Sequence, residues 1–159
     1  MLTIAIEKHI SSHMRISFDM DHTLVPYDIK GRSEADCKLF NGDLLRKGAI
    51  KLLKELQKEH ELWIYTTSFR GPINLKFSSW LKGIKIKKVV NDDEHRKIIK
   101  SYQFHKTPTK YPKHYDIDLH IDDSKGVKME GDEFGFDVLQ IDSLADNWAE
   151  LILNKVNIS

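Results

Sequence analysis

Two aspartates separated by one residue follow a short apolar segment, in the stretch ISFDMDHTLV at residues 16–25. In an extended strand, residues two apart share a face, so Asp19 and Asp21 can reach one common ligand. Carboxylates act as nucleophiles and as general acids or bases, and pairs of them bind hard cations. The pair therefore indicates a catalytic or metal-binding site at the end of a buried strand.

Polar groups of the same kind follow two other apolar segments. Thr66 follows LWIY, and Asp122 and Asp123 follow DLHI. The carboxyl ends of parallel strands meet at one edge of a sheet, where ligands bind, so these groups are expected beside Asp19 and Asp21. Carboxylates this close repel one another, and their oxygen atoms are the ligands that Mg²⁺ prefers. We therefore predict a Mg²⁺ site.

The elements that must position these groups alternate along the chain. Apolar segments of strand length occur at 15–20, 61–68, 84–90, 117–123 and 136–142, and helical signals occur at 43–60, 71–83 and 146–155. This alternation predicts an α/β fold of three layers, Rossmann-like, with a central, mostly parallel sheet and helices on both faces.

The composition is that of one globular domain. The chain has 159 residues, of which 40% are hydrophobic and 31% charged. We expect a domain over 14–159, preceded by an N-terminal extension over 1–13. Cys37 is the sole cysteine, so no intrachain disulfide can form, as is common in a reducing compartment. The apolar segments are too short to cross a membrane, and no signal-peptide pattern occurs. We therefore predict a cytoplasmic protein without membrane contact.

Charge is unevenly distributed, although the net charge is only +1. Residues 74–114 contain ten Lys and one Arg against three acids, whereas residues 115–150 contain eleven acids against two Lys. Such segments are commonly solvated helix faces. The alternative is a basic wall beside an acidic pocket, which would steer an anionic substrate toward a bound metal.

Three motifs resemble those of the haloacid dehalogenase (HAD) superfamily. FDMDHTLV resembles motif I, LWIYT is similar to motif II, and DLHIDDS is similar to motif IV, in the family's order. The resemblance implies a HAD-like fold and a phosphatase, a hydrolase of phosphoric monoesters that works through an aspartyl-phosphate. Asp19 would be the nucleophile and Asp21 the general acid/base.

The resemblance also implies a ligand set. Mg²⁺ would be held by the Asp19 side chain, the Asp21 backbone carbonyl and Asp122, with Asp123 binding through water or orienting Asp122. Thr66 would donate a hydrogen bond to a phosphoryl oxygen.

The remaining candidates are two residues that would contact the substrate and one lysine that would pair with the phosphate and the nucleophile. Thr67 and Arg70 are further candidates for substrate binding, and for Arg70 a surface role is the competing interpretation. Motif III supplies a lysine, for which Lys106, Lys110 and Lys113 lie 16, 12 and 9 residues before Asp122. Family members with a short link before the acidic strand place this lysine close to that strand, so the resemblance favours Lys110 or Lys113, and the rigid KYP turn favours Lys110.

The spacing of the motifs leaves no room for a large cap domain, only for a short flap near residues 24–42. An open site suits a phosphorylated small molecule or macromolecule, and a nucleotide, a nucleic-acid end and a phosphoprotein all stay open. The alternative function is a non-catalytic metal- or phosphate-binding regulatory module, against which the intact Asp19–Asp21 pair argues. The sequence does not predict an oligomeric state.

Overall fold

The computed structural model describes residues 13–26 and 43–158. Within them the strands are β1 Arg15–Phe18, β2 Glu61–Tyr65, β3 Ile86–Val90, β4 Leu119–Asp122 and β5 Val138–Gln140. The helices are α1 Ala49–Leu56, α2 Pro72–Leu81, α3 Asp92–Ile99, α4 Lys125–Phe134 and α5 Trp148–Ile158, with a 3₁₀ turn at Pro112–Tyr115. Strands and helices therefore alternate from β1 to α5.

The strands form one parallel sheet in the order β3-β2-β1-β4-β5. Phe18 of the central strand β1 lies opposite Ile64 of β2 and Ile121 of β4. After β1, the chain adds β2 and β3 on one side of that strand, and it then crosses back to add β4 and β5 on the other side. The order thus reverses between β1 and β4, the point where open α/β sheets bind their ligands.

Each central strand presents alternate residues to two cores, as the strand period of two requires. On one face, Ile16 and Phe18 pack with buried residues of α1, α2 and α5. On the other face, Trp63 and Tyr65 form a cluster, and Val138 joins a neighbouring one that contacts α3 and α4. This arrangement confirms the predicted three-layer α/β fold with a parallel sheet between two helical layers.

Several elements are shorter than their sequence patterns predict. Helix α1 begins only at Ala49, because Gly48 before it has a φ of 84°, outside the helical range. Strand β2 ends at Tyr65, where the Thr66 hydroxyl accepts a hydrogen bond from the Ser68 N–H and turns the chain. The apolar pattern continues beyond both boundaries, so it overestimates their length.

Helices α3 and α4 are marked by capping residues rather than by apolar periodicity. The Asn91 side chain accepts a hydrogen bond from the Glu94 N–H before α3, and the Ser124 hydroxyl accepts one from the Val127 N–H before α4. Both are standard N-cap contacts. Helical spacing alone does not reveal these two helices, since both are strongly polar.

The described residues contain no large cap domain. Between β2 and β4 the chain forms only α2, β3, α3 and the 3₁₀ turn. Most of the predicted flap at 24–42, Cys37 and residues 1–12 of the expected extension lie outside the described residues. No helix in the described ranges combines the length and apolarity that crossing a membrane requires.

Candidate functional site

Three carboxylates meet where β1 and β4 end. Asp19 follows β1, and Asp122 and Asp123 stand at the end of β4. The Asp19 N–H donates to the Ile121 carbonyl at 2.9 Å, which fixes the end of β1 against β4. One oxygen atom from each carboxylate lies within 4.8 Å of the others. The three predicted acidic residues are therefore close enough to share a cation.

Lys110 places its ammonium group between two of these carboxylates. Its Nζ lies 2.8 Å from Oδ1 of Asp19 and 2.5 Å from Oδ2 of Asp122, and the side chain is 3% exposed. Burial alone would lower the pKa of Lys110, but Asp19 and Asp122 raise it above its usual value. Lys110 is therefore a buried cation at the centre of the site.

The backbone around Lys110 is held by a buried aromatic network. The Tyr111 N–H donates to the Tyr65 hydroxyl at 3.0 Å, and that hydroxyl lies 2.7 Å from Nδ1 of His95. Nε2 of His95 lies 3.2 Å from the Pro108 carbonyl. Since Pro108 and Tyr111 flank Lys110, these contacts fix the segment on both sides of the lysine.

Glu130 of α4 holds the same segment from another direction. Its Oε2 accepts hydrogen bonds from the Thr109 N–H at 2.9 Å and from the Thr109 hydroxyl at 2.7 Å. Glu130 is buried, so the two donors supply the hydrogen bonds that its carboxyl group would otherwise lack. The position of Lys110 thus depends on contacts from β2, α3 and α4.

Asp122 has hydrogen-bond donors on both oxygen atoms. Oδ1 accepts the Ser124 N–H at 2.8 Å, while Oδ2 accepts from Lys110 and from Nε2 of His120 at 2.9 Å. Burial would raise the pKa of Asp122, but His120 and Lys110 together hold it well below its usual range. Asp122 is consequently ionised and fixed in orientation.

Asp123 is more exposed and lies on the solvent side of the cluster. The Thr23 hydroxyl donates to its Oδ1 at 3.4 Å, and Nδ1 of His22 lies 3.8 Å from Oδ2. Burial, followed by the charges of Asp122 and Asp19, raises the pKa of Asp123. The proximity of these acids therefore makes an extra positive charge favourable here.

Asp21 contacts a different group, the guanidinium of Arg70. Nη2 and Nη1 of Arg70 donate to the two oxygen atoms of Asp21 at 2.6 and 2.9 Å, and Nε donates to Asp43 at 2.7 Å. The hydrogen bond from Arg70 lowers the pKa of Asp21. The carboxyl group predicted to act as an acid is thus held ionised by Arg70.

The two predicted threonines differ in exposure. Thr66 is fully buried at the end of β2, and its hydroxyl donates to the Ser68 hydroxyl at 3.2 Å. Thr67 is exposed. Because β2 pairs with β1, Thr66 lies at the same sheet edge as Asp19.

The other two lysine candidates have different surroundings from Lys110. Lys106 Nζ lies 3.9 Å from Glu133, and Lys113 is exposed on the 3₁₀ turn. Within the described ranges, neither of these lysines pairs with Asp19 or Asp122. Among the three, the structure brings Lys110 to the carboxylates, and the catalytic role of the lysine stays a prediction.

The cluster suits a hard cation such as Mg²⁺. Oδ1 of Asp19 is buried and has no hydrogen-bond partner within the described ranges, since its close approach to Lys110 lacks hydrogen-bond geometry. Burial and the Asp122 charge also raise the pKa of Asp19, against the effect of Lys110. A cation at this point would satisfy the oxygen and favour ionised Asp19.

The motifs assign no role to several residues around the site, although two of these residues lie within LWIYT and DLHIDDS. They are His120, Glu130, His95, Tyr65 and Asp43, whose contacts are given above. His120 carries a detectable signal, because it is a polar residue inside an apolar strand pattern. Glu130 and Asp43 lie among many other acids, so the burial of Glu130 and the pairing of Asp43 with Arg70 emerge only from the fold.

Comparisons with known proteins identify the fold. No family model matches the chain, and no curated protein matches it. Among solved structures, one described as a predicted HAD-like family hydrolase from Porphyromonas gingivalis matches with a TM-score of 0.50 and 13% identity, covering 91% of this chain and 98% of that one.

Two further solved structures are of the Pnkp1/Rnl/Hen1 complex. A chain of the Pnkp1/Rnl/Hen1 RNA repair complex matches at 12% identity and a TM-score of 0.49, covering 88% of this chain and 48% of that one. A second structure of the Pnkp1/Rnl/Hen1 complex matches at 16% identity and a TM-score of 0.47, covering 82% of this chain and 47% of that one. At these values neither adds to the argument. The likeness to the hydrolase, together with the parallel sheet and its order, shows that this chain has the HAD-like fold that its motifs imply.

Proposed function

We propose that this chain is a Mg²⁺-dependent phosphomonoester hydrolase that works through an aspartyl-phosphate on Asp19. One observation carries the proposal: Asp19 lies at the switch point of the sheet beside the Lys110 ammonium and two further carboxylates. This set supplies a nucleophile, a fixed positive charge and hard ligands within one small volume.

Asp19 would attack phosphorus through a carboxylate oxygen, and the bond from phosphorus to the leaving oxygen would break. Lys110 orients Asp19 and offsets the repulsion between its carboxylate and the incoming phosphate. Bound Mg²⁺ would supply further positive charge at the phosphoryl group. Asp19 and Asp122 would hold the ion through their side chains and Asp21 through its backbone carbonyl, while Asp123 would bind it through water or orient Asp122.

Asp21 would protonate the leaving oxygen and later accept a proton from a water molecule that attacks phosphorus, so that the bond from phosphorus to the Asp19 oxygen breaks and inorganic phosphate leaves. Its bidentate pairing with Arg70 opposes the first step, because Arg70 favours the ionised carboxylate. A phosphate group binds guanidinium in the same bidentate manner. The phosphate of the substrate would therefore bind Arg70 in place of the Asp21 carboxylate. Asp21 would then be free to be protonated, and Arg70 would be a substrate-binding residue.

The hydroxyl of Thr66 would donate to a phosphoryl oxygen after leaving Ser68, its present partner. The exposed Thr67 would contact a more distant part of the substrate. The substrate is a phosphorylated small molecule or macromolecule, and the lysine-rich segment 74–114 supports an anionic one. A nucleotide, a nucleic-acid end and a phosphoprotein fit this description, and we place the protein in the cytoplasm.

Hydrolysis of a generic aryl phosphate tests the proposal. We expect turnover with Mg²⁺, loss of turnover with EDTA, and loss with Asp19→Asn. Asp132→Asn is the matched control, since Asp132 is exposed on α4, where it pairs with Lys128, and it is not part of the carboxylate cluster. Equal activity of Asp19→Asn and the wild type would refute the proposed nucleophile.

A second candidate function is a non-catalytic regulatory module that binds metal or phosphate. The pairing of Asp21 with Arg70 favours it, because a binding module has no need of a protonated acid. It predicts Mg²⁺ or phosphate binding without turnover across nucleotides, sugar phosphates, phosphopeptides and oligonucleotides with 3′- or 5′-phosphates.

A further inference from the structure

The Asp122 carboxylate is supported from inside the sheet by a histidine. His120 lies two residues before Asp122 in β4, so both side chains project from the same face. The His120 side chain is fully buried, and its Nε2 lies 2.9 Å from Oδ2 of Asp122. An ionised carboxylate can only accept hydrogen bonds, so Nε2 carries the hydrogen and donates.

The neighbouring strand fixes the histidine ring. Ser17 of β1 is the register partner of His120, and its hydroxyl oxygen lies 2.7 Å from Nδ1 of the ring. In the neutral ring with hydrogen on Nε2, Nδ1 is an acceptor, so the Ser17 hydroxyl donates. The Tyr65 ring packs edge-on at a centroid distance of 6.0 Å. A chain of donors thus runs from Ser17 through His120 to Asp122.

These three residue types are those of a hydrolytic triad, but they cannot act as one here. Ser17 is fully buried within β1, so no substrate reaches its hydroxyl. The ring is also reversed, since in a catalytic triad the carboxylate binds Nδ1 and the serine lies at Nε2. The chain of contacts therefore acts on Asp122 and not on a substrate.

We propose that His120, oriented by Ser17, is a positioning residue that holds Asp122 ready to bind the cation. The inference rests on the proposed function, because it concerns the same Mg²⁺ site. Lys110, His120 and the Ser124 N–H approach Asp122 from different elements and prevent rotation of its carboxylate. Without His120, Lys110 is the one remaining side-chain donor among these contacts. Loss of such an outer partner typically weakens metal binding about 10- to 100-fold.

Mg²⁺ affinity, measured by calorimetry and by the rise in melting temperature with Mg²⁺ concentration, tests the inference without any substrate. We expect His120→Leu to weaken Mg²⁺ binding about 10- to 100-fold. His120→Gln, which retains an N–H donor of similar reach, should restore most of the affinity. Ser17→Ala should weaken binding by a smaller factor, because the ring stays and only its orientation is freed.

His60→Leu is the matched control. His60 is also buried and hydrogen-bonded, through Nδ1 to the Met14 N–H, but it lies before β2 at the opposite edge of the sheet. It should lose stability and keep its Mg²⁺ affinity. Wild-type affinity in His120→Leu, or equal losses in the Leu and Gln variants, would overturn the inference.

The remaining outcomes also decide the question. If His120→Leu does not fold, wild-type affinity in Ser17→Ala would overturn the inference, and a weakened affinity there would support it. A wild-type protein that binds no Mg²⁺ would overturn the proposed metal site and this inference together. Unchanged affinity in the variants alone would leave the proposed function intact.

Discussion

Replacing Lys110 by Met is expected to destabilise the protein strongly in the absence of divalent cations. The Lys110 ammonium lies 2.8 and 2.5 Å from carboxylate oxygens of Asp19 and Asp122, and the side chain is 3% exposed. Methionine is of similar length but carries no charge, so two buried carboxylates lose their shared cation. Removing one partner of a buried ion pair costs about 3–5 kcal/mol.

The structure also predicts how conditions change this loss. In a chain of this length, each kcal/mol lowers the melting temperature by about 2–4 °C, so the expected decrease is roughly 6–20 °C. Mg²⁺ should recover part of it by replacing the lost positive charge. Lower pH should also reduce the difference, because burial raises the pKa of Asp19, and its protonated form has no charge left to compensate.

Thermal and urea unfolding in EDTA measure the effect, with Lys113→Met as the control. Lys113 is exposed three residues later, and such surface substitutions usually change stability by less than about 0.5 kcal/mol. If the two variants were equally stable in EDTA, the assignment of Lys110 as the buried charge that stabilises the cluster would be wrong.

Three other substitutions test the surroundings of the site. Arg70→Met should raise the pKa of Asp21, because the hydrogen bond from Arg70 that lowers it is lost; NMR titration of the Asp21 carboxyl carbon measures this, and an unchanged titration would contradict the pairing. Burial holds the pKa of His95 below 6.5 in the folded protein. As pH falls through that value, the unfolded state therefore binds more protons than the folded state, and the free energy of unfolding decreases. His95→Gln should reduce the slope of the free energy of unfolding against pH, measured in urea, by up to about 1.4 kcal/mol per pH unit. The same slope in the variant and the wild type would count against a buried neutral ring. Glu130→Ala should lower the free energy of unfolding in urea by about 1.5–3 kcal/mol and speed hydrogen exchange at the Thr109 N–H, since both contacts to the carboxylate are lost. Unchanged exchange would argue that Glu130 does not hold the segment around Lys110.

The sheet could be predicted from the sequence because its strands are apolar and short. Buried parallel strands form continuous hydrophobic segments, and all five lie within the segments predicted for them. Helices α3 and α4 could not be placed by periodicity, because α3 has His95 as its one buried residue and α4 buries a charged Glu130. Their N-caps, Asn91 and Ser124, are the signal that would have placed them.

The acidic residues of the site could be predicted because strand ends determine their positions. Pairing of β1 with β4 is enough to bring Asp19 and Asp122 together, independently of the conformation of the loops. Lys110 could only be ranked among three lysines, because its position depends on contacts distant in sequence. The pairing of Arg70 with Asp21 crosses 49 residues, and no local pattern encodes it.

The central claim is that Asp19 carries the phosphoryl group during turnover. Borohydride reduces an aspartyl-phosphate to homoserine, so acid-quenched enzyme can be reduced and mapped by peptide mass spectrometry. With an aryl phosphate and Mg²⁺, we predict homoserine at position 19 in the wild type and none in Asp19→Asn or with EDTA. Steady turnover with residue 19 unmodified, or modification at another carboxylate, would contradict the account.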